Sequence, residues 1–172
     1  MNEKGTIFTE IARGALESSV KGKKKFPINP DLPPELERPG AAFVSLKKRG
    51  ALRGCIGTIS PVKKTLAMEI AANAVSAGLK DPRFPPVSED ELDELTYSVD
   101  VLTEPEKVEN ISDLDPLRFG VIVRRGNRRG LLLPALEGIT TAEQQLDIAR
   151  QKAGILPEEP VEIFRFEVKR YF

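Results

Sequence analysis

The period of the apolar positions changes several times along the chain, and each change marks an element. Over residues 6–20, Ile7, Ile11 and Ala15 recur at a spacing of four behind a capping Thr6, which predicts a helix with one core-facing side. Residues 26–40 hold Pro27, Pro30, Pro33, Pro34, Pro39 and Gly40, a density that predicts an extended surface connector without helix. Residues 41–48 alternate weakly, Arg49-Gly50 supplies a turn and 52–59 alternates again, so the two stretches read as a hairpin. Ser60-Pro61 looks like a helix opening and predicts a helix running to about Leu79. Along it Glu69, Asn73, Ser76 and Lys80 form a polar stripe, with Asn73 read as solvated or as a helix-surface hydrogen bonder, while Leu66, Met68, Ile70, Ala72, Val75 and Leu79 cover the rest of a largely buried helix.

The second half has the same clarity. Pro82, Pro85 and Pro86 predict a stiff loop over 81–87, followed by a short acidic helix over 88–94. In 96–103, Tyr97, Val99 and Val101 alternate against Ser98 and Asp100, the pattern of a strand. Residues 119–124 and 129–133 form a second hairpin around Arg125-Gly126-Asn127-Arg128, which Pro134 ends. Thr141 and Gln144 match a capping box for a helix that stops at Gly154, and 161–172 reads as one long strand with Phe164, Phe166 and Val168 on a face. No sequence repeat is visible. About six strands arriving in hairpins, with three or four helices, predict an α+β domain with a mixed, largely antiparallel sheet.

Composition narrows the chemistry. With 26 basic and 26 acidic residues the net charge is zero, which disfavours nonspecific nucleic-acid binding because that draws on an excess of positive charge. There is no histidine, so Ser-His-Asp triads, Cys-His pairs and histidine-ligated metals are excluded. One cysteine allows neither an internal disulfide nor a thiolate cluster, and no metal or other cofactor is expected. The polar start and the lack of a long apolar run predict neither leader nor membrane span, hence a cytoplasmic protein.

The lone cysteine is also the centre of the best candidate site. In an extended Leu52–Ile59, Arg53, Cys55 and Gly57 share one face, and Gly54 and Gly57 mark close approach by a backbone or a ligand. Cys55 reads either as a nucleophilic or redox thiol beside a cation, or as small core filler. Arg53 reads as a fork for carboxylate or phosphate, or as half of a structural ion pair. Arg83, braced by prolines, is a ligand clamp or a loop-fixing salt bridge. Asp100 is a general base, a partner for Arg53, or a solvated strand residue. The arginines at 124, 125, 128 and 129 read as a solvated turn, since no aromatic residues interleave them for stacking on bases.

The strings LRGCIGTI at 52–59, AAFVSLKKRG before it, DPRFPPV at 81–87, YSVDVLTEPE, GLLLPALEG and IARQKAGI resemble the AMMECR domain family, over nearly the whole chain from Phe8 to Tyr171. Similar bacterial and archaeal chains are called AmmeMemoRadiSam system protein A, after a Memo-like protein of the dioxygenase fold and a radical SAM enzyme that accompany them. The resemblance implies a larger subdomain from both chain ends and a smaller one from the middle, with the RGCIG string near a cleft between them. It brings no cofactor, substrate or reaction. The position of Asp81 varies in the family while Arg83-Phe84-Pro85 matches, which makes Arg83 the stronger site residue. The expected site is therefore Cys55 and Asp100 for chemistry, with Arg53, Gly54, Gly57, Thr58 and Arg83 binding a small anion. The competing expectation is a noncatalytic subunit for the Memo-like and radical SAM proteins.

Overall fold

The structure, a computed structural model, describes residues 5–24 and 26–172, which divide into two compact units. The first is Met1–Val101 with Lys169–Phe172, and the second is Leu102–Val168. The fold is α+β, as the hairpin pattern predicts.

In the first unit, helix α1 (Ile7–Val20) and helix α3 (Leu66–Leu79) pack beside strands β1 (Ala41–Lys48), β2 (Ala51–Gly57), β3 (Leu95–Leu102) and β8 (Val168–Tyr171), which lie in the order β2-β1-β3-β8. Between the first helix and β1 the connector makes a single helical turn, α2 (Pro34–Glu37). Proline at the first helical position costs no hydrogen bond, so the run of prolines permits this turn where it was expected to forbid one. Its Leu36 is fully buried. Ala42, Val44 and Leu46 of β1 and Tyr97 and Val99 of β3 join Leu16, Ile70 and Ala74 in the core, so the even positions of β1 and the odd positions of β3 face the helices.

Helix α3 starts at Leu66, six residues after the expected Ser60. The carboxylate of Glu69 accepts hydrogen bonds from the backbone N–H of Val62 (2.9 Å) and Lys63 (2.7 Å), which holds 60–65 as a loop. Thr65 then caps the helix through Met68 N–H. The same carboxylate takes the Thr58 hydroxyl at 2.7 Å, and Asn73 donates to the Ala42 carbonyl at 2.9 Å. Glu69 is 1% exposed, so this part of the polar stripe is a satisfied buried network and not the solvated face that periodicity suggested.

The second unit repeats the hairpin-then-helix arrangement. β4 (Glu106–Val108), β5 (Gly120–Arg125), β6 (Arg128–Leu132) and β7 (Glu162–Phe166) form a sheet in the order β4-β7-β5-β6, and α4 (Ala142–Ala153) packs on β5 and β6. The Thr141/Gln144 capping box forms, and Gly154 ends the helix at φ +64°. The expected final strand is two, β7 and β8, parted at Glu167 so that each joins a different sheet.

The two hairpin-helix units use one packing device. A Cβ on Gly54 of β2 would collide with the Ala77 carbonyl oxygen of α3, and a Cβ on Gly130 of β6 with the Ala149 carbonyl oxygen of α4. Each strand glycine lets a helix backbone rest directly on the sheet. Gly54→Ala should lower stability by about 2 kcal/mol, because the obstacle is backbone and cannot rotate away. Thermal or urea unfolding of the variant against Gly50→Ala, whose Cβ has open space and only a positive φ to oppose it, separates the collision from a general glycine effect.

Candidate functional site

The helix-facing set leaves the opposite face of the first sheet to polar residues. β1 and β2 pair antiparallel with Ser45 opposite Cys55 and Phe43 opposite Gly57. Ser45 donates its hydroxyl to the Cys55 sulfur at 3.2 Å. The Phe43 ring fills the space a Cβ on Gly57 would need, so that glycine is a seat for an aromatic ring. Cys55 is partly exposed, a free thiol and not core filler.

β2 is an edge strand, and the loop after α3 closes that edge at Cys55. Asp81 accepts the Cys55 backbone N–H at 3.0 Å, and Arg83 donates to the Cys55 carbonyl oxygen at 3.2 Å. The two side chains also grip each other, Nε to Oδ1 at 3.0 Å and Nη2 to Oδ2 at 2.7 Å. These bonds from Arg83 are the main reason Asp81 sits well below its usual value of 3.8, with the amides of Cys55 and Arg83 adding to them and burial opposing.

At the other end of the sheet, Asp100 is buried and receives a two-pronged bond from Arg170 of β8, at 2.6 and 2.8 Å. Asp100 thus pairs with Arg170, not with Arg53, and does not lie on a solvated face. The Arg170 pKa is raised first by those bonds, against desolvation, then by the charges of Asp100 and of Cys55. Arg83 is raised in the same order by Asp81, with the Cys55 charge again contributing. Two guanidinium groups therefore belong to the part of the fold that carries the thiol, Arg83 on the Cys55 backbone and Arg170 on Asp100. Each is anchored on a buried aspartate and about half exposed, 54% for Arg83 and 52% for Arg170.

The remaining expected site residues have internal partners. Arg53 is 11% exposed and forks onto Glu91 at 3.0 and 2.9 Å, so its charge is taken by a structural ion pair. Glu91 also caps Ser88 and accepts from Lys48. Gly54 carries the α3 contact, and Thr58 binds Glu69 and receives Asn73. In the second unit Arg124 binds Glu162, while Arg125 and Arg128 converge on Glu159, holding its carboxyl down at about 2 chiefly through Arg128.

The AMMECR1 family model matches residues 9–171 of this chain. The chain belongs to the AMMECR1 family. A Thermotoga maritima protein is 54% identical over 168 residues, 95% of this chain and 96% of that one. Protein CA_C1420 of Clostridium acetobutylicum is 55% identical over 129 residues, 75% of this chain but 27% of the longer Clostridium protein. The crystal structure of the uncharacterized protein PH0010 from Pyrococcus horikoshii has the same fold, with a TM-score of 0.87 at 33% identity over 99% of this chain and 91% of that chain.

For this AMMECR1-family chain, sequence reasoning selected Cys55, Arg83 and Asp100 and ranked Asp81 below Arg83, but missed Ser45 and Arg170. Strand alternation could have found Ser45, which faces away from the core side of β1. Nothing local announces Arg170, seventy residues from its partner Asp100.

The Asp81 arrangement sets a pH dependence. A carboxyl held below its unfolded pKa stabilises the fold fully above that value, and the contribution is lost as pH falls through the lower folded value. Stability should therefore decline as pH drops below about 4. Asp81→Asn should flatten that acid limb and cost about 2 kcal/mol at neutral pH, the exposure of Arg83 limiting the loss. Urea melts of both proteins from neutral to acid pH measure it; parallel acid limbs would assign the decline to other carboxylates such as Glu91.

Proposed function

We propose that the polar face of the first sheet binds a small anion, a carboxylate or phosphate, between Arg83 and Arg170, with Cys55 as the reactive group beside it. The observation that carries this reading is the pair of half-exposed guanidinium groups, each locked by a buried aspartate, in the sheet that also holds the partly exposed thiol. An arginine whose one edge is fixed by an aspartate presents its other N–H groups with little further ordering, which suits a planar oxyanion. The Ser45 hydroxyl donates to the sulfur at 3.2 Å and orients it on this face. Asp100, with both oxygens engaged by Arg170, acts as an orienter and not as a base. Arg53 leaves the anion-binding set, and Arg170 takes its place.

Two alkylating reagents of opposite character test this. Relative to a simple thiol, Cys55 should prefer anionic iodoacetate over neutral iodoacetamide; the preference should shrink in Arg170→Ala and at high salt, and inorganic phosphate should slow the reaction. Equal relative rates with both reagents, unaffected by phosphate, would remove the anion site.

A second reading is favoured by the Clostridium relative, in which the matched segment is 27% of a longer chain. A domain that occurs within a larger polypeptide suits a noncatalytic subunit of a cytoplasmic assembly, and the Memo-like and radical SAM proteins implied by the family resemblance are the partners to try. Co-purification of the three proteins at micromolar concentration would support it, and a failure to associate would count against it.

A further inference from the structure

The bonds that Asp81 and Arg83 make to Cys55 have the chemistry of a missing strand. In an antiparallel ladder, two facing residues of a hydrogen-bonded pair exchange both of their N–H···O=C bonds. On the open edge of β2 that facing residue is absent. An acceptor oxygen from Asp81 takes the Cys55 N–H, and a donor N–H from Arg83 reaches the carbonyl oxygen of the same residue. Among the described residues these are the hydrogen bonds the loop makes to β2. The loop itself is closed independently, by Val87 N–H on the Gly78 carbonyl, and its prolines stiffen it.

We propose that Asp81 and Arg83 are a side-chain surrogate for a fifth strand, which keeps β2 from pairing with β2 of a second copy of this chain. Open strand edges template such pairing unless something covers them. This strand is suited to itself. A two-fold axis through Cys55 sets its N–H and C=O against the same groups of the other copy. It also sets Arg53 opposite Gly57, so that no like charges meet across the new ladder, and Gly54 opposite Ile56. The guard thus suppresses an antiparallel dimer with Cys55 facing Cys55. The proposal concerns backbone groups and does not depend on anion binding at the thiol.

The test is Asp81→Ser/Arg83→Ser, which removes both partners and so leaves neither charge buried alone. A short bismaleimide should then link Cys55 to Cys55, sedimentation should shift from monomer toward dimer with concentration, and exchange of the Cys55 amide should be fast when dilute and slow when concentrated. The wild type should give no such link and steady protection of the Cys55 amide. A folded double variant that sediments like the wild type and resists cross-linking overturns the proposal. If the double variant does not fold, Arg83→Gln decides in its place: it frees the Cys55 carbonyl while Asp81 keeps the amide, so a cross-linked dimer supports the guard and a folded, unlinked monomer overturns it.

Discussion

The contact between Gly54 and the Ala77 carbonyl governs the first unit, because it seats the backbone of α3 directly on β2. Once that face of β2 is given to the helix, strand alternation leaves Cys55 no choice but the other one. The neighbouring contacts depend on the same seating. Gly78, one residue on, makes room for Leu16 of α1, so that α3 is held on two sides by small residues. The end of α3 then lies where its outgoing loop reaches the open edge of β2. The DPRF segment meets the RGCIG strand for this geometric reason, and the two strings are one structural feature read at two places in the chain.

Charge is used here in fixed pairs more than as a field. The chain is neutral overall, and its principal arginines find carboxylates: Arg53 with Glu91, Arg83 with Asp81, Arg170 with Asp100, Arg128 with Glu159. These pairs differ in what they leave over. Arg53 is enclosed, so its pairing with Glu91 leaves it no outward donor face. Arg83 and Arg170 lean on aspartates that are themselves buried, and each keeps half its surface outward. A buried anchor under an exposed guanidinium fixes direction without consuming the donor face, and direction is what distinguishes a binding arginine from a solvated one.

Much of this was legible in the sequence where the signal is local. The Arg49-Gly50 turn, the Thr141/Gln144 capping box and the Gly154 stop each depend on a few adjacent residues, and all three form. Signals that need a distant partner did not announce themselves. The polar stripe of α3 is the clearest case: Glu69 and Asn73 have the spacing of a solvated face, yet they are buried because Thr58, the 62–63 amides and the Ala42 carbonyl satisfy them. Periodicity reports polarity, and polarity does not separate a group bonded to water from one bonded to the chain. The Asp100–Arg170 pair has no local signal for a similar reason, since the break at Glu167 that carries β8 into the first sheet has no glycine or proline to mark it.

The ranking of Asp81 below Arg83 has a physical lesson of its own. The resemblance led to Arg83 being expected as the stronger of the two, but the structure makes Asp81 the residue with more depending on it: it is nearly inaccessible, it takes the Cys55 amide, and it fixes the arginine that takes the Cys55 carbonyl. Other acceptors could close this edge in its place, because a backbone N–H asks only for an oxygen at the right place. The carbonyl asks for a donor, and the fork of an arginine can meet it while also holding a carboxylate. A strand edge closed by side chains can therefore tolerate change on its acceptor side more readily than on its donor side. That asymmetry gives Asp81 and Arg83 distinct parts in closing the edge without assigning either of them to catalysis.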